Sequence, residues 1–304
     1  MTSANARPLG LFRIEKLPVP PSVLGEGPVW SQTDQCLYFV DIVSGRLQAY
    51  WPDRQRHQQW AFEGFIGSLA ECKSGGLIVA LADRIVRFDP RKVDRAPETL
   101  VVLEADRPNN RLNDGKVDPW GRFWVGSMQA DEKARTGRLW CVTAQGEATL
   151  HRDDIGVSNS IAFDRARERM YFADSMRGVI ERCALNGSPV AAGSRVFEPF
   201  APATKGSPDG SCTDASGYLW NAEWGGSRIA RHTPDGQVDH ILAMPVTQPT
   251  CCTFGGSDFK TLFVTSAHYN MTAAGRADDA DAGSLYRIDF DDDTRGLPAD
   301  LFAL

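Results

Sequence analysis

Six copies of one pattern fill most of this 304-residue chain, and that repetition limits what it can fold into more than any other feature. Each copy contains a short strand rich in β-branched and aromatic residues, preceded by Asp, Gly, Ser or Pro. The six strands are CLYFVDI, GGLIVAL, GRFWVGSM, RMYFADS, GYLWNAEW and KTLFVTSA. A second strand often follows, as in GRLQAYWPD, DRIVRFDP, GRLWCV, GVIERCALNG, SRIARHTPDGQ and GSLYRIDF. Aligned copies place Glu26, Gly67, Asn113, Asn159, Asp209 and Thr250 at one shared position, in steps of 41, 46, 46, 50 and 41 residues. Helical periodicity sustained over three turns is scarce.

A period in the forties, with four short strands per unit, is the signature of a propeller blade. The chain is therefore expected to be all-β, a six-bladed β-propeller forming one domain over residues 1–304. No low-complexity or Pro/Ser-rich linker divides it. Residues 1–23 read as an N-terminal arm. Its segment FRIEKLPV is a strand expected to pair with the final blade and close the ring, which protects edge strands from aggregation.

Composition narrows the function. The chain is 42% hydrophobic and 24% charged, ordinary for a soluble globular protein. Its net charge of −6, without a basic cluster, speaks against nucleic acid or an anionic membrane as partner. No apolar run is long enough to span a bilayer, and the first twenty residues lack the apolar segment of a secretory signal. The seven cysteines are odd in number and irregularly spaced, with no C-x-x-C. They are expected to be reduced thiols of a cytoplasmic protein, mostly packed in strands. Cys251 and Cys252 should face opposite sides of one strand.

The innermost strand of each propeller blade lines the central channel, so the shared repeat position points at one axis. Around the ring it reads Glu, Gly, Asn, Asn, Asp, Thr. Taken singly, Asp-Gly and Asn-Asp are ordinary turn formers; their common place in the repeat is what sets them apart. Two carboxylates and two amides converging there call for a cation between them. Oxygen donors alone favour a hard divalent ion such as Ca²⁺, Mg²⁺ or Mn²⁺.

The segments LGEGPVW, CLYFVDI, NRLNDGKVDPWGRFWVGSM, SNSIAFD, PDGSCTDASGYLWNAEWGG and PTCCTFGGSDFKTLFVTSA span residues 24 to 267. Together they resemble the gluconolactonase and regucalcin (senescence marker protein 30) family. The resemblance implies a six-bladed propeller that opens sugar lactones. It implies a metal held by Glu26, Asn159 and Asp209, and substrate contacts from Arg111 and Asn113. Family members differ in metal among Ca²⁺, Zn²⁺, Mn²⁺ and Fe²⁺, so Ca²⁺ is ranked first on donor chemistry alone. Some members carry a sugar-binding Glu shortly after a GTM-like segment. Here GSM is followed by Gln129, Ala130 and Asp131, so that contact is expected to be altered.

The expected function is metal-dependent hydrolysis of a small-molecule aldono-lactone, with Asp209 as general base toward water. Arg111 and Asn113 would orient the substrate. Other schemes lack their markers: no G-x-S-x-G elbow, no H-E-x-x-H, no P-loop, and no G-x-G-x-x-G after a strand. His268 reads as a loop residue near the channel mouth. Loops 129–137 and 268–283 are expected to cover the site, and the acidic run RADDADAG reads as solvated surface. The alternatives are a metal-dependent esterase or phosphotriesterase on a non-sugar ester, and a calcium-binding regulatory protein. No obligate protein partner is evident.

Overall fold

The structure, a computed structural model, describes residues 10–92, 94–185 and 198–304. Six four-stranded antiparallel sheets are arranged in a ring, a six-bladed β-propeller. The innermost strands are Gly25–Ser31, Ile66–Glu71, Asn110–Val117, Ser158–Asp164, Ser207–Thr213 and Pro249–Gly255. From each, the chain meanders outward through neighbouring strands before crossing to the next blade.

The sixth blade is built differently. Pro249–Gly255, Thr261–Ser266 and Tyr286–Phe290 supply its three inner strands, and Phe12–Lys16 adds the outermost one. Phe12 lies opposite Phe290, Ile14 opposite Ile288 and Lys16 opposite Tyr286. The two ends of the described chain are thus joined by a β-ladder. Residues 1–9 of the arm, and the last two of GVIERCALNG, lie outside the described residues.

Two motifs show how sequence sets the turns. In DPWGRFW, the Asp118 carboxylate accepts the backbone N–H groups of Trp120 and Arg122 and the indole N–H of Trp124. In DASGYLW, Asp214 accepts the N–H groups of Ser216 and Tyr218 and the indole N–H of Trp220. Each turn contains a glycine in the left-handed region, Gly121 at φ 80° and Gly217 at φ 81°. One carboxylate therefore fixes a hairpin and satisfies a buried indole.

The core lies between blades. Trp30 of the first blade stacks on Phe263 of the sixth, with ring centroids 5.5 Å apart and planes 5° from parallel. Both are buried, and burying a Phe side chain contributes about 1.5–3 kcal/mol. All seven cysteines are buried and free. Cys252 packs against Cys212, while Cys251 packs toward Gly210 and the axis. The C-terminal segment crosses one end of the ring through bridges Asp214–Gly296 and Cys72–Phe302. No described helix is long and apolar enough to cross a membrane.

Candidate active site

On every innermost strand, pairing with its neighbour slips beside the shared repeat position. The irregularities fall at Glu26/Val29, Ile66/Ser68, Leu112/Gly115, Asn159/Ala162, Pro208/Ser211 and Pro249/Cys251. A bulge disrupts the ladder locally and re-aims a side chain. Two residues that follow the shared position occupy the left-handed region: Gly27 at φ 54° and Ser160 at φ 62°. Glycine takes that conformation freely, whereas the serine is held there at a cost of about 1–3 kcal/mol.

The bulges bring Glu26, Asn113, Asn159 and Asp209, together with Arg111, to the wall of one cavity of about 410 Å³. Gly67 and Thr250 are absent from that wall for identifiable reasons. A Cβ on Gly67 would lie 2.5 Å from Leu112 O and 2.8 Å from Asn113 O, so the second blade presents bare backbone to its neighbour. Thr250 donates its hydroxyl to Gly25 O at 2.5 Å and bonds Thr265 Oγ1 at 2.8 Å, which ties the sixth blade to the first.

A chain of hydrogen bonds crosses three blades. Arg111 Nη1 donates to Asn113 Oδ1. Asn113 Nδ2 donates to Asn159 Oδ1 at 3.0 Å and to Ser158 O at 2.9 Å. Asn159 Nδ2 donates to Ser175 Oγ at 2.9 Å, and Ser175 donates onward to Pro208 O at 2.7 Å. Each amide is thereby oriented with a defined oxygen.

The carboxyls carry the electrostatic tension. Burial, then the nearby charge of Asp114, push Glu26 up to about 8, although the Gly27 N–H and Asp209 act the other way. Burial and the charge of Glu26 drive Asp209 well above the usual carboxylate range. Burial likewise lowers Arg111, while Glu132 and Tyr269 oppose that shift. Two such acids in contact cannot both ionise cheaply unless a cation joins them.

The approach to each of these residues is clamped by an acid in the same place. Asp41 faces Gly25, Asp174 faces Ser158 and Glu223 faces Pro208, in each case the residue just before Glu26, Asn159 or Asp209. Asp41 accepts the N–H groups of Val23 and Leu24 at 2.9 and 3.1 Å. Asp174 accepts those of Gly156 and Val157 at 3.0 and 3.1 Å. Glu223 accepts those of Thr204 and Lys205 at 2.7 and 3.0 Å. Asp41 and Asp174 end the strands CLYFVD and RMYFAD, and Glu223 is the penultimate residue of LWNAEW, so the repeat itself encodes them.

Some wall residues escape the repeat alignment. Glu132, one residue beyond the Gln129–Asp131 stretch after GSM, lines the cavity and faces Arg111 electrostatically. Glu132, at φ 57° in its loop, thus places an acid on this wall beside the stretch where the sequence suggested an altered contact. From the second loop, Tyr269 and Asn270 reach the wall, but His268 does not. The acidic run after Arg276 makes outward contacts: Asp279 accepts from Thr247 N, and Asp281 pairs with Lys16.

Three oxygen-bearing groups on this wall suit a divalent cation: the carboxylates of Glu26 and Asp209 and the amide oxygen of Asn159. Among the described residues, no three or more His, Cys, Asp or Glu side chains converge as a metal site. The donor set here instead mixes two acids with an amide, and its frustrated carboxyls fit a hard ion.

Comparison with known proteins places these features in context. Residues 24–268 match the family described as SMP-30/Gluconolactonase/LRE-like region. The chain is 36% identical to 6-deoxy-6-sulfogluconolactonase from Pseudomonas putida, over 85% of this chain and 88% of that protein. It is 32% identical to pentonolactonase XacC from Haloferax volcanii, over 88% and 90% of the two. The crystal structure of a calcium-binding protein, regucalcin, from Agrobacterium tumefaciens superposes with a TM-score of 0.85 at 27% identity, covering 93% of this chain and 95% of that one. Matched over residues 24–268, most of its length, the protein belongs to the SMP-30/gluconolactonase/LRE-like family.

Proposed function

We propose that this protein is a metal-dependent lactonase that opens a neutral aldono-lactone to its sugar acid. The observation that carries the reading is the convergence of Glu26, Asn159 and Asp209 with Arg111 and Asn113 on one cavity wall. Relatives bearing the names 6-deoxy-6-sulfogluconolactonase and pentonolactonase support the reaction class. The name regucalcin and the oxygen donor set support Ca²⁺ as the first choice, with Zn²⁺, Mn²⁺, Mg²⁺ or Fe²⁺ as alternatives. A reducing, cytoplasmic setting suits the seven buried free thiols.

Glu26, Asn159 and Asp209 hold the ion, which when bound supplies Lewis-acid polarisation of the lactone carbonyl. Asp209 accepts the proton of the attacking water, a role its carboxyl can fill once it is ionised. Arg111, fixed by Asn113, donates to the ester or ring oxygens and limits their orientation. Asn113 is itself held by Ser158 O and Asn159, so substrate and donor set share one frame.

The charge on the wall favours a neutral substrate. Arg111 is its one cation among the described residues, against Glu26, Glu132 and Asp209. With a divalent ion bound, these charges balance, so the wall holds no surplus cation for a sulfonate. Ile42, Met128 and Trp224 give the remaining wall an apolar face suited to the C–H side of a sugar ring.

A pH-stat panel of glucono-, galactono-, arabinono- and xylono-lactones, a sulfonated lactone and an aryl ester tests the reading. Neutral lactones should be hydrolysed fastest. Asp209→Ala and Asn159→Ala should lose nearly all activity with a native far-UV spectrum. Chelation should abolish activity and re-addition of ion restore it. Full activity in a sample shown by elemental analysis to be metal-free would refute the proposal.

A further inference from the structure

A second cavity, of about 470 Å³, lies at the other end of the same channel. The first cavity takes its residues from the starts of the inner strands; this one takes Val29, Ala70, Lys116, Phe163, Thr213 and Thr253 from their ends. The C-terminal segment at 297–300 lies along its wall.

Lys116 sets this cavity apart. It is surrounded by protein, and the surface it retains faces the cavity. Its Nζ donates to Ser211 O at 2.6 Å. An ammonium has three donors, so one carbonyl leaves it under-used. The acids on the same wall have cations of their own: Asp164 pairs with Arg167, Asp214 with Arg231 and Asp300 with Arg165. Arg165 is the other cation on the wall and is taken by that last pair. The buried carboxyl of Asp114 supplies a nearby opposing charge that helps hold the ammonium up against desolvation, but among the described residues no carboxylate forms a direct ion pair with it, so donors of the ammonium remain for a ligand. The remainder of the wall is mainly apolar, with Val29, Leu69, Phe163, Phe254 and Leu297 prominent.

We propose that this cavity is a second ligand site, taking a small amphipathic monocarboxylate whose carboxylate meets Lys116 and whose aliphatic or aryl body fills the apolar wall. One ammonium matches one negative charge. A polyhydroxylated acid would strand its hydroxyls against Val29, Leu69 and Phe254, which sets the expected ligand apart from a sugar acid. The proposal does not rest on the lactonase reading, since it uses residues at the opposite end of the channel.

Titration calorimetry of the full chain with hexanoate, 4-bromobenzoate, hexan-1-ol and gluconate tests it. Hexanoate and 4-bromobenzoate should bind saturably at one site. Lys116→Met should weaken both at least tenfold and leave hexan-1-ol unaffected. Leu297→Trp, placed in the exposed tail, narrows the same cavity and should weaken both acids even if the lysine variant does not fold. Crystals soaked with 4-bromobenzoate should show the bromine anomalous peak between Val29 and Phe254. The proposal fails if no acid binds saturably to the unmodified protein, or if gluconate binds as tightly as hexanoate. It fails equally if the bromine lies in the upper cavity, or if a folded Lys116→Met protein retains full affinity.

Discussion

The carboxyl groups of Glu26 and Asp209, one from the first blade and one from the fifth, line one buried cavity close enough for the charge of Glu26 to raise Asp209. Burial keeps both protonated far above the range of a free carboxylic acid; the charge of Asp114 adds to the rise of Glu26, to about 8, and the charge of Glu26 to that of Asp209. A divalent ion needs them ionised, so binding must expel protons.

The pH dependence follows with a definite sign. In the unfolded chain Glu26 ionises near its ordinary 4.5, whereas the metal-free fold keeps its proton up to about 8. The native state therefore binds more protons across that window, and stability of the metal-free protein should fall as pH rises through it. The loss is on the order of a few kcal/mol. Melting curves between pH 5 and 8.5 should show the decline, and added divalent ion should reverse it. Calorimetry of ion binding at pH 7 in buffers of different ionisation enthalpy should show proton release, with affinity rising toward pH 8. Buffer-independent heats and a flat melting profile would contradict the coupled pair.

Asp174 offers a test of the clamps. Its carboxylate holds Gly156 N and Val157 N ahead of Asn159 and also pairs with Arg135 at 2.8 Å. Asp174→Ala leaves those groups without their acceptor, at about 1–3 kcal/mol of stability. Metal affinity should fall about 10–100-fold, as expected when a supporting contact to a ligand is removed. Asp174→Asn, able to accept one of the two N–H bonds, should fall between. Equilibrium dialysis against the ion separates this effect from a general loss of fold.

The ring of six blades was legible because each blade repeats the same burial problem, and period-two strands bounded by turn residues recur at a nearly fixed interval. The positions of Glu26, Asn159 and Asp209 were legible for the same reason: one repeat position maps to one axis. Glu132 was not, since it sits in a loop whose conformation depends on a positive φ that no strand pattern reports. Ser175 was equally hidden, because its role as a bridge between Asn159 and Pro208 needs two blades in place. Asp41, Asp174 and Glu223 could have been found, since each stands at or next to the end of the second strand of its repeat; their function appears only once the register is known.

Gly67 should behave as a site residue without presenting a side chain. Its missing Cβ lets Leu112 O and Asn113 O approach to distances no real Cβ tolerates. Gly67→Ala must push the third blade's inner strand outward, at about 1–3 kcal/mol. Because that strand carries Arg111 and Asn113, kcat/KM for a lactone should drop more than the modest fall in melting temperature implies. Gly64→Ala has open space at its Cβ but φ 78°, so it should lower stability through backbone strain and leave kcat/KM unchanged. Equal kinetic effects of the two variants would contradict the assignment.

Removing residues 1–18 tests how the ring closes. The deletion strips Phe12–Lys16 from Tyr286–Phe290 and leaves that strand as an open edge in the sixth blade. It also removes Leu17, buried in a cluster with Leu285 and Tyr286 and hydrogen-bonded through its N–H to Leu285 O at 2.8 Å. Loss of one such side chain removes about 1.5–3 kcal/mol, before the broken ladder is counted. An exposed edge also recruits other chains. The truncated protein should melt several degrees lower and aggregate in a concentration-dependent way. An unchanged melting temperature in the truncated chain would show that the ring closes through its other contacts alone.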